Sequence, residues 1–105
     1  MTNYFSPPKY ARENAKKAKA CIDKGNSAMT PKGIQRMNDL IKGKPLTLKD
    51  LKEINSFRRH KGNATHKGDY CKDKGSIAWL GWGNSIKKKK GVADFSNWAK
   101  RKYEK

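Results

Sequence analysis

The chain has 105 residues, with 26 Lys+Arg against 9 Asp+Glu, a formal net charge of +17. A length of this order allows one small domain, and a hydrophobic content of 34% allows only a small core, helped by the large rings of its three tryptophans. A body so cationic repels itself unless a polyanion neutralises it, which points to nucleic acid or another acidic surface as partner; no apolar run reaches transmembrane length, and no membrane partner is expected.

Residues 1–6 read as a loose, extended tail with Tyr4 and Phe5 as aromatic anchors, and 7–105 as one helical domain. Met1 to Phe5 lack a basic segment followed by an apolar stretch, so no secretion signal is expected and synthesis in a cytoplasm is. Ser6 before Pro7-Pro8 is a helix-start signal, a capping hydroxyl followed by residues that need no backbone donor. A first helix runs to about Lys24, with Ala11, Ala15, Ala18 and Ile22 on one face and Lys9, Arg12, Lys16, Lys17 and Lys19 over the rest. Gly25 stops it.

Thr30-Pro31 repeats the start signal. Ile34, Met37 and Ile41 mark one face of a second helix, with Leu40 beside it, and Gly43 ends it. A third helix opens at Pro45-Leu46-Thr47 and runs to about His60. Thr47 is its expected cap, with Asp50 three residues on, and Leu46 is placed to staple onto Leu51. Residues 61–74 carry no apolar period and read as a polar loop. Ser76 is the expected cap of a short buried helix through Ile77, Trp79, Leu80 and Trp82. The Lys87-Lys88-Lys89-Lys90 run follows as a solvated segment, and a last helix spans roughly Val92 to Tyr103 with Phe95, Ala99 and Tyr103 on one side. No convincing strand alternation occurs. The expectation is an all-α fold, a bundle of four to five short helices around Ile34, Ile41, Leu51, Ile54, Ile77, Trp79, Leu80 and Trp82.

Cationic side chains concentrate in four places: Lys16, Lys17 and Lys19; Arg58, Arg59 and Lys61; Lys87, Lys88, Lys89 and Lys90; and Lys100, Arg101 and Lys102. Arginines suit bidentate phosphate contacts and lysines act as point charges. Such contacts give affinity without sequence readout. A helix-turn-helix around Gly43-Lys44-Pro45-Leu46 is disfavoured, because Asp50 and Glu53 sit where a reading helix would meet bases. The tryptophans read as core rather than as base-stacking platforms.

His60, Asn63, His66 and Cys71 invite a zinc or HNH-nuclease reading. A structural zinc site needs four ligands at tight paired spacings, and no strand signal flanks these residues. No phosphate loop, catalytic triad or carboxylate pair in an apolar setting stands out. The expectation is a non-enzyme without metal, cofactor or small-molecule substrate. Cys21 and Cys71 form no CxxC motif and are expected as two free thiols in a reducing compartment.

One ordered set of segments resembles a known family. Met29-Thr30-Pro31-Lys32-Gly33-Ile34-Gln35-Arg36, Gly43-Lys44-Pro45-Leu46-Thr47, Phe57-Arg58-Arg59-His60, Ile77-Ala78-Trp79-Leu80-Gly81-Trp82-Gly83 and Trp98-Ala99-Lys100-Arg101-Lys102 together resemble a small domain of head-associated proteins in tailed bacteriophages. The Ile-Ala-Trp-x-x-Trp-Gly segment is its most specific part. Here residues 84–97 intervene before Trp98-Ala99, where the family joins the two after a few residues. The resemblance implies a virion context. The expected function is an auxiliary or minor capsid protein, a phage structural protein that binds the major capsid protein or other virion proteins and packaged DNA. The expected alternative is a free nucleic-acid-binding protein without sequence preference.

Overall fold

The first helix, α1 (Lys9–Asp23), presents a stripe of alanines that lets neighbouring helices approach closely. Ala11, Ala15 and Ala18 are fully buried, and Cys21 continues the stripe at helical spacing. α2 (Pro31–Ile41) and α4 (Lys74–Gly81) pack on it. α3 (Leu48–Ser56) packs instead on α5 (Asp94–Tyr103). The computed structural model describes residues 4–26, 29–64 and 68–104. One continuous apolar core runs through the assembly, from Ala11 and Leu40 to Ile54, Ile77, Leu80 and Phe95. The mostly helical fold expected from the sequence is borne out, with five α-helices among the described residues.

Local signals account for most helix starts. Thr30 Oγ1 accepts from the Gly33 N–H at 3.1 Å. Thr47 and Asp50 make a reciprocal capping box at the start of α3. Leu46 and Leu51, on either side of that box, are both buried. Two expected caps differ. Pro8, not Ser6, occupies the N-cap of α1, and no side chain bonds there. At α4 the cap is Asp73, whose carboxylate accepts from both the N–H and the hydroxyl of Ser76. A carboxylate placed three residues earlier satisfies the free N–H better than Ser76 could from inside the first turn.

Five further expectations need correction. Ile34 is 37% exposed and not in the core, and Ile41 is only half-buried. The inward face of α2 is instead Gly33, Arg36, Met37 and Leu40, also at helical spacing. It is rotated because the Arg36 guanidinium goes inward, 3.0 Å from Asp50 and 2.6 Å from Glu53, over the Trp82 ring at 5.5 Å. Arg12 is likewise half-buried rather than a surface cation, and donates to the Ile41 carbonyl at the end of α2. The third helix ends at Ser56 and continues as a 3-10 helix over Phe57–Asn63. The expected polar loop holds that segment's end, a second 3-10 turn (Tyr70–Lys72) and buried Ala64 and Cys71. The tail is not loose at Phe5, which exchanges two backbone hydrogen bonds with Leu46 at 2.9 and 2.7 Å. Tyr4 remains 63% exposed. His66 lies outside the described residues.

The sequence showed no strand, yet a hairpin follows α4. β1 (Ser85–Lys87) pairs antiparallel with β2 (Lys90–Val92). A buried polar network fixes it. Asn84 Nδ2 donates to Ser96 Oγ at 3.0 Å, its Oδ1 accepts from the Ser96 N–H at 2.9 Å, and Ser96 Oγ donates to the Ile54 carbonyl at 2.8 Å. Trp79 Nε1 donates to the Ser85 carbonyl, and Asp94 accepts from the N–H and hydroxyl of Ser85. Gly91 is needed for this approach, since a Cβ there would sit 2.8 Å from Ala64 Cβ and 2.9 Å from Trp79 Nε1.

Cys21 and Cys71 are joined in a disulfide, not free thiols. Cys21 follows the alanine stripe into the core, and the turn at Tyr70–Lys72 packs on α1, so the two Cα atoms are 5.1 Å apart. That spacing suits a bridge. The bond closes a loop of 50 residues in sequence separation, which in a chain-entropy treatment stabilises by about 4 kcal/mol. Urea unfolding of the Cys21→Ser/Cys71→Ser variant should therefore give a stability lower by about 2–4 kcal/mol. Wild-type protein in reductant should match it, and equal midpoints for oxidised and reduced protein would contradict the bridge's role.

Candidate polyanion interface

Most of the acidic residues are engaged by partners within the chain, some on the surface and some part-buried. Glu13, Asp23, Asp39, Asp50 and Glu53 each lie within 4.0 Å of a Lys or Arg nitrogen. Asp69, Asp73 and Asp94 accept backbone N–H groups at turns and helix starts. Burial would push Asp50 up, but the Thr47 N–H bond and Arg36 outweigh it and hold the carboxyl below its ordinary 3.8. Burial also opposes ionisation of Glu53, and Lys32 and Arg36 likewise bring it below 4.5. Both remain anions at neutral pH, tied to cations of their own chain.

The cationic excess is left outward. Lys16 and Lys17 are exposed on the side of α1 away from its alanine stripe. Lys19, also exposed, bonds Asp23 at 2.9 Å. On the 3-10 helix, Arg59 and Lys61 are exposed. Arg58 is half-buried and donates to Asn55 Oδ1 at 2.8 Å and to the Ser96 carbonyl at 3.4 Å. It ties α3 to α5 and is less available to phosphate than its neighbours. Lys100 and Arg101 are exposed at the end of α5, and Lys102 lies 5.8 Å over the Trp98 ring. Arg101 also acts on Tyr10 of α1, where burial, Asp94 and, with opposite sign, Arg101 combine to raise the phenol to about 12.

Lys87, Lys88, Lys89 and Lys90 are exposed, and they form the turn of the hairpin rather than a loose run. β2 packs against the 3-10 helix, so this tip and Arg59–Lys61 belong to neighbouring elements. The other cationic clusters lie on α1 and at the end of α5, so the exposed cations are mounted on four separate elements.

A groove of about 580 Å³ opens beside the 3-10 helix. Its walls come from α2, α3, the 3-10 helix and α4, and it is lined by Lys32, Lys52, Arg59, Phe57, His60 and Trp82 among others. The Phe57 ring stacks on Trp82 at 4.6 Å and 10°, and His60 sits 4.8 Å from Phe57. Sequence reasoning missed Lys32 and Lys52, since nothing distinguishes them from other helical lysines. The ion pairs of Arg36 with Asp50 and Glu53, and of Lys32 with Glu53, bring the two helices together. The zinc and HNH comparison loses Cys71, whose sulfur is bonded to Cys21. Among the described residues no helix is long and apolar enough to cross a membrane. No family model, curated protein or solved structure matches this chain.

The hairpin tip carries a test of the interface. Lys88 and Lys89 adopt left-handed backbone angles, φ +52° and +65°, which cost about 1–2 kcal/mol per residue without glycine. Asn-Gly is the pair this kind of turn prefers. Lys88→Asn/Lys89→Gly should raise stability by about 1–2 kcal/mol in thermal or urea unfolding. It should also lower the slope of log affinity against log salt for DNA by about two. A stabilised variant with an unchanged slope would remove the tip from the interface.

Proposed function

We propose that this protein is a structural component of a tailed-phage virion, an auxiliary or minor capsid protein that adheres to the shell and to packaged DNA. The observation that carries the adhesive part is the division of charge: carboxylates held in caps and ion pairs within the chain, most Lys and Arg exposed on several elements. The virion context rests on the sequence resemblance, whose Trp79–Trp82 segment is buried.

The mechanism in this reading is multivalent contact. Each copy contributes salt-sensitive phosphate or carboxylate contacts, and repetition on a lattice multiplies them. The closed Cys21–Cys71 bond suits a particle that leaves the reducing cytoplasm for an oxidising medium.

Two measurements test it. Mass spectrometry of purified particles should find the chain at a stoichiometric level. A filter-binding titration with DNA should lose about 10³–10⁵ in affinity between about 50 and 200 mM salt, as expected for about 6–10 phosphate contacts. Absence from particles with the salt dependence intact would favour a free nucleic-acid-binding protein. Presence with a flat titration would make the shell protein the sole partner.

A further inference from the structure

We propose that the groove between α2, the 3-10 helix and α4 binds single-stranded nucleic acid, seating an unpaired base against its rings and the flanking phosphates on its cationic rim. The inference rests on the polyanion-binding part of the proposed function and names the form of polyanion that this groove takes.

The ring content is the first argument. Trp82, Phe57 and His60 form a row, with Phe57 stacked on the indole and His60 tilted against Phe57. Trp82 is stacked by Phe57 and has the Arg36 guanidinium 5.5 Å over its ring, so it supports the row rather than meeting a ligand face-on. Phe57 and His60 are half-buried and line the open space. The Trp82 indole N–H also reaches the groove wall, because position 33 is glycine. A Cβ there would stand 3.3 Å from Trp82 Nε1. Among the described residues that N–H has no acceptor, whereas the Trp79 indole is already bonded to Ser85. Every base has a π-face and edge acceptors, so such a wall accepts bases with little sequence preference.

Charge is the second argument. Lys32, Lys52 and Arg59 stand on the rim, from three different elements. Glu53 also lines the groove, but it is held by Lys32 at 2.7 Å and Arg36 at 2.6 Å. Its charge is answered within the protein. Lys52 lies 5.2 Å over the Tyr103 ring and Arg59 Nε donates to His60 Nε2 at 3.4 Å, but among the described residues neither pairs with a carboxylate, so both can meet an anion. A volume of about 580 Å³ lies in the range of small-ligand sites. A duplex keeps its bases stacked inside and would meet only the outward lysines, so concavity and rings together favour an unpaired strand.

The test uses the full-length oxidised protein, an eight-nucleotide oligothymidylate, a duplex of equal phosphate content, and heparin. In ¹H–¹⁵N spectra the Trp82 indole signal should shift on adding the oligothymidylate, while the Trp79 indole should not. The single strand should bind about tenfold more tightly than the duplex at matched salt. His60→Ala, at a position outside the core and outside the cationic clusters, should remove about tenfold of single-strand affinity and leave duplex affinity within about twofold. Lys52→Ala gives an independent check from another element and should weaken the single strand more than the duplex. Equal binding of single strand, duplex and heparin, with equal losses in both variants, would overturn the groove assignment and leave the broader charge-based reading standing. Absence of binding to all three would overturn both.

Discussion

The inward pairing of carboxylates is the constraint on which the rest of this molecule depends. A chain with so few acidic groups has two uses for each: neutralise the surface or hold the fold. Here the second use dominates. Asp50 completes the cap of α3 and pairs with Arg36, and Glu53 draws Lys32 and Arg36 across from α2. Asp73 starts α4, and Asp94 clasps Ser85 at the foot of the hairpin. The small apolar core does not have to fix these elements alone. In return the lysines and arginines are left without enough partners, and the compact state carries its own repulsion. That repulsion is what a polyanion relieves, so stability and binding share one origin.

The hairpin illustrates how charge is mounted on a rigid support. Asn84, Ser85, Asp94 and Ser96 satisfy one another and the Ile54 carbonyl between α4 and α5. Such a network, with its members satisfied, fixes a single arrangement. Asn14 adds a tie from α1, donating to the Gly83 carbonyl and to Ser85 Oγ. Gly83 must stay glycine: its φ is +97°, and a Cβ would enter the Phe95 ring. On this support two lysines take a backbone conformation that other residues fill more easily. Strained residues persist where surrounding structure over-determines them, and often where they act. A tip of four cations held above a buried network is such a place.

Much of the architecture was legible in the sequence. Apolar spacing located all five helices to within a few residues, and the Thr30 and Thr47 caps and the burial of Leu51, Ile54, Ile77, Trp79, Leu80 and Trp82 follow from it. What was hidden shares one cause, polar side chains taken inward. Arg36 reads as surface but rotates α2 and turns Ile34 out. Asn84 and Ser96 carry no signal in the sequence, although they place a hairpin that has no apolar alternation. The disulfide was illegible because Cys21 and Cys71 meet only through the packing of a 3-10 turn on α1. Of the expected binding residues, Arg58 is tied to α3 and α5, and the Lys87–Lys90 run is ordered rather than loose. The groove was missed because its walls come from four separate elements.

The dependence of unfolding on ionic strength, with no ligand present, tests the division of charge most directly. Screening shortens the reach of charge from about 30 Å at 10 mM salt to about 10 Å at 100 mM. If the outward excess of cations outweighs the internal ion pairs, the unfolding temperature should climb steadily as sodium chloride rises through that range. A fall over the same range would mean that the ion pairs dominate and that the surface carries no unrelieved repulsion for a polyanion to answer.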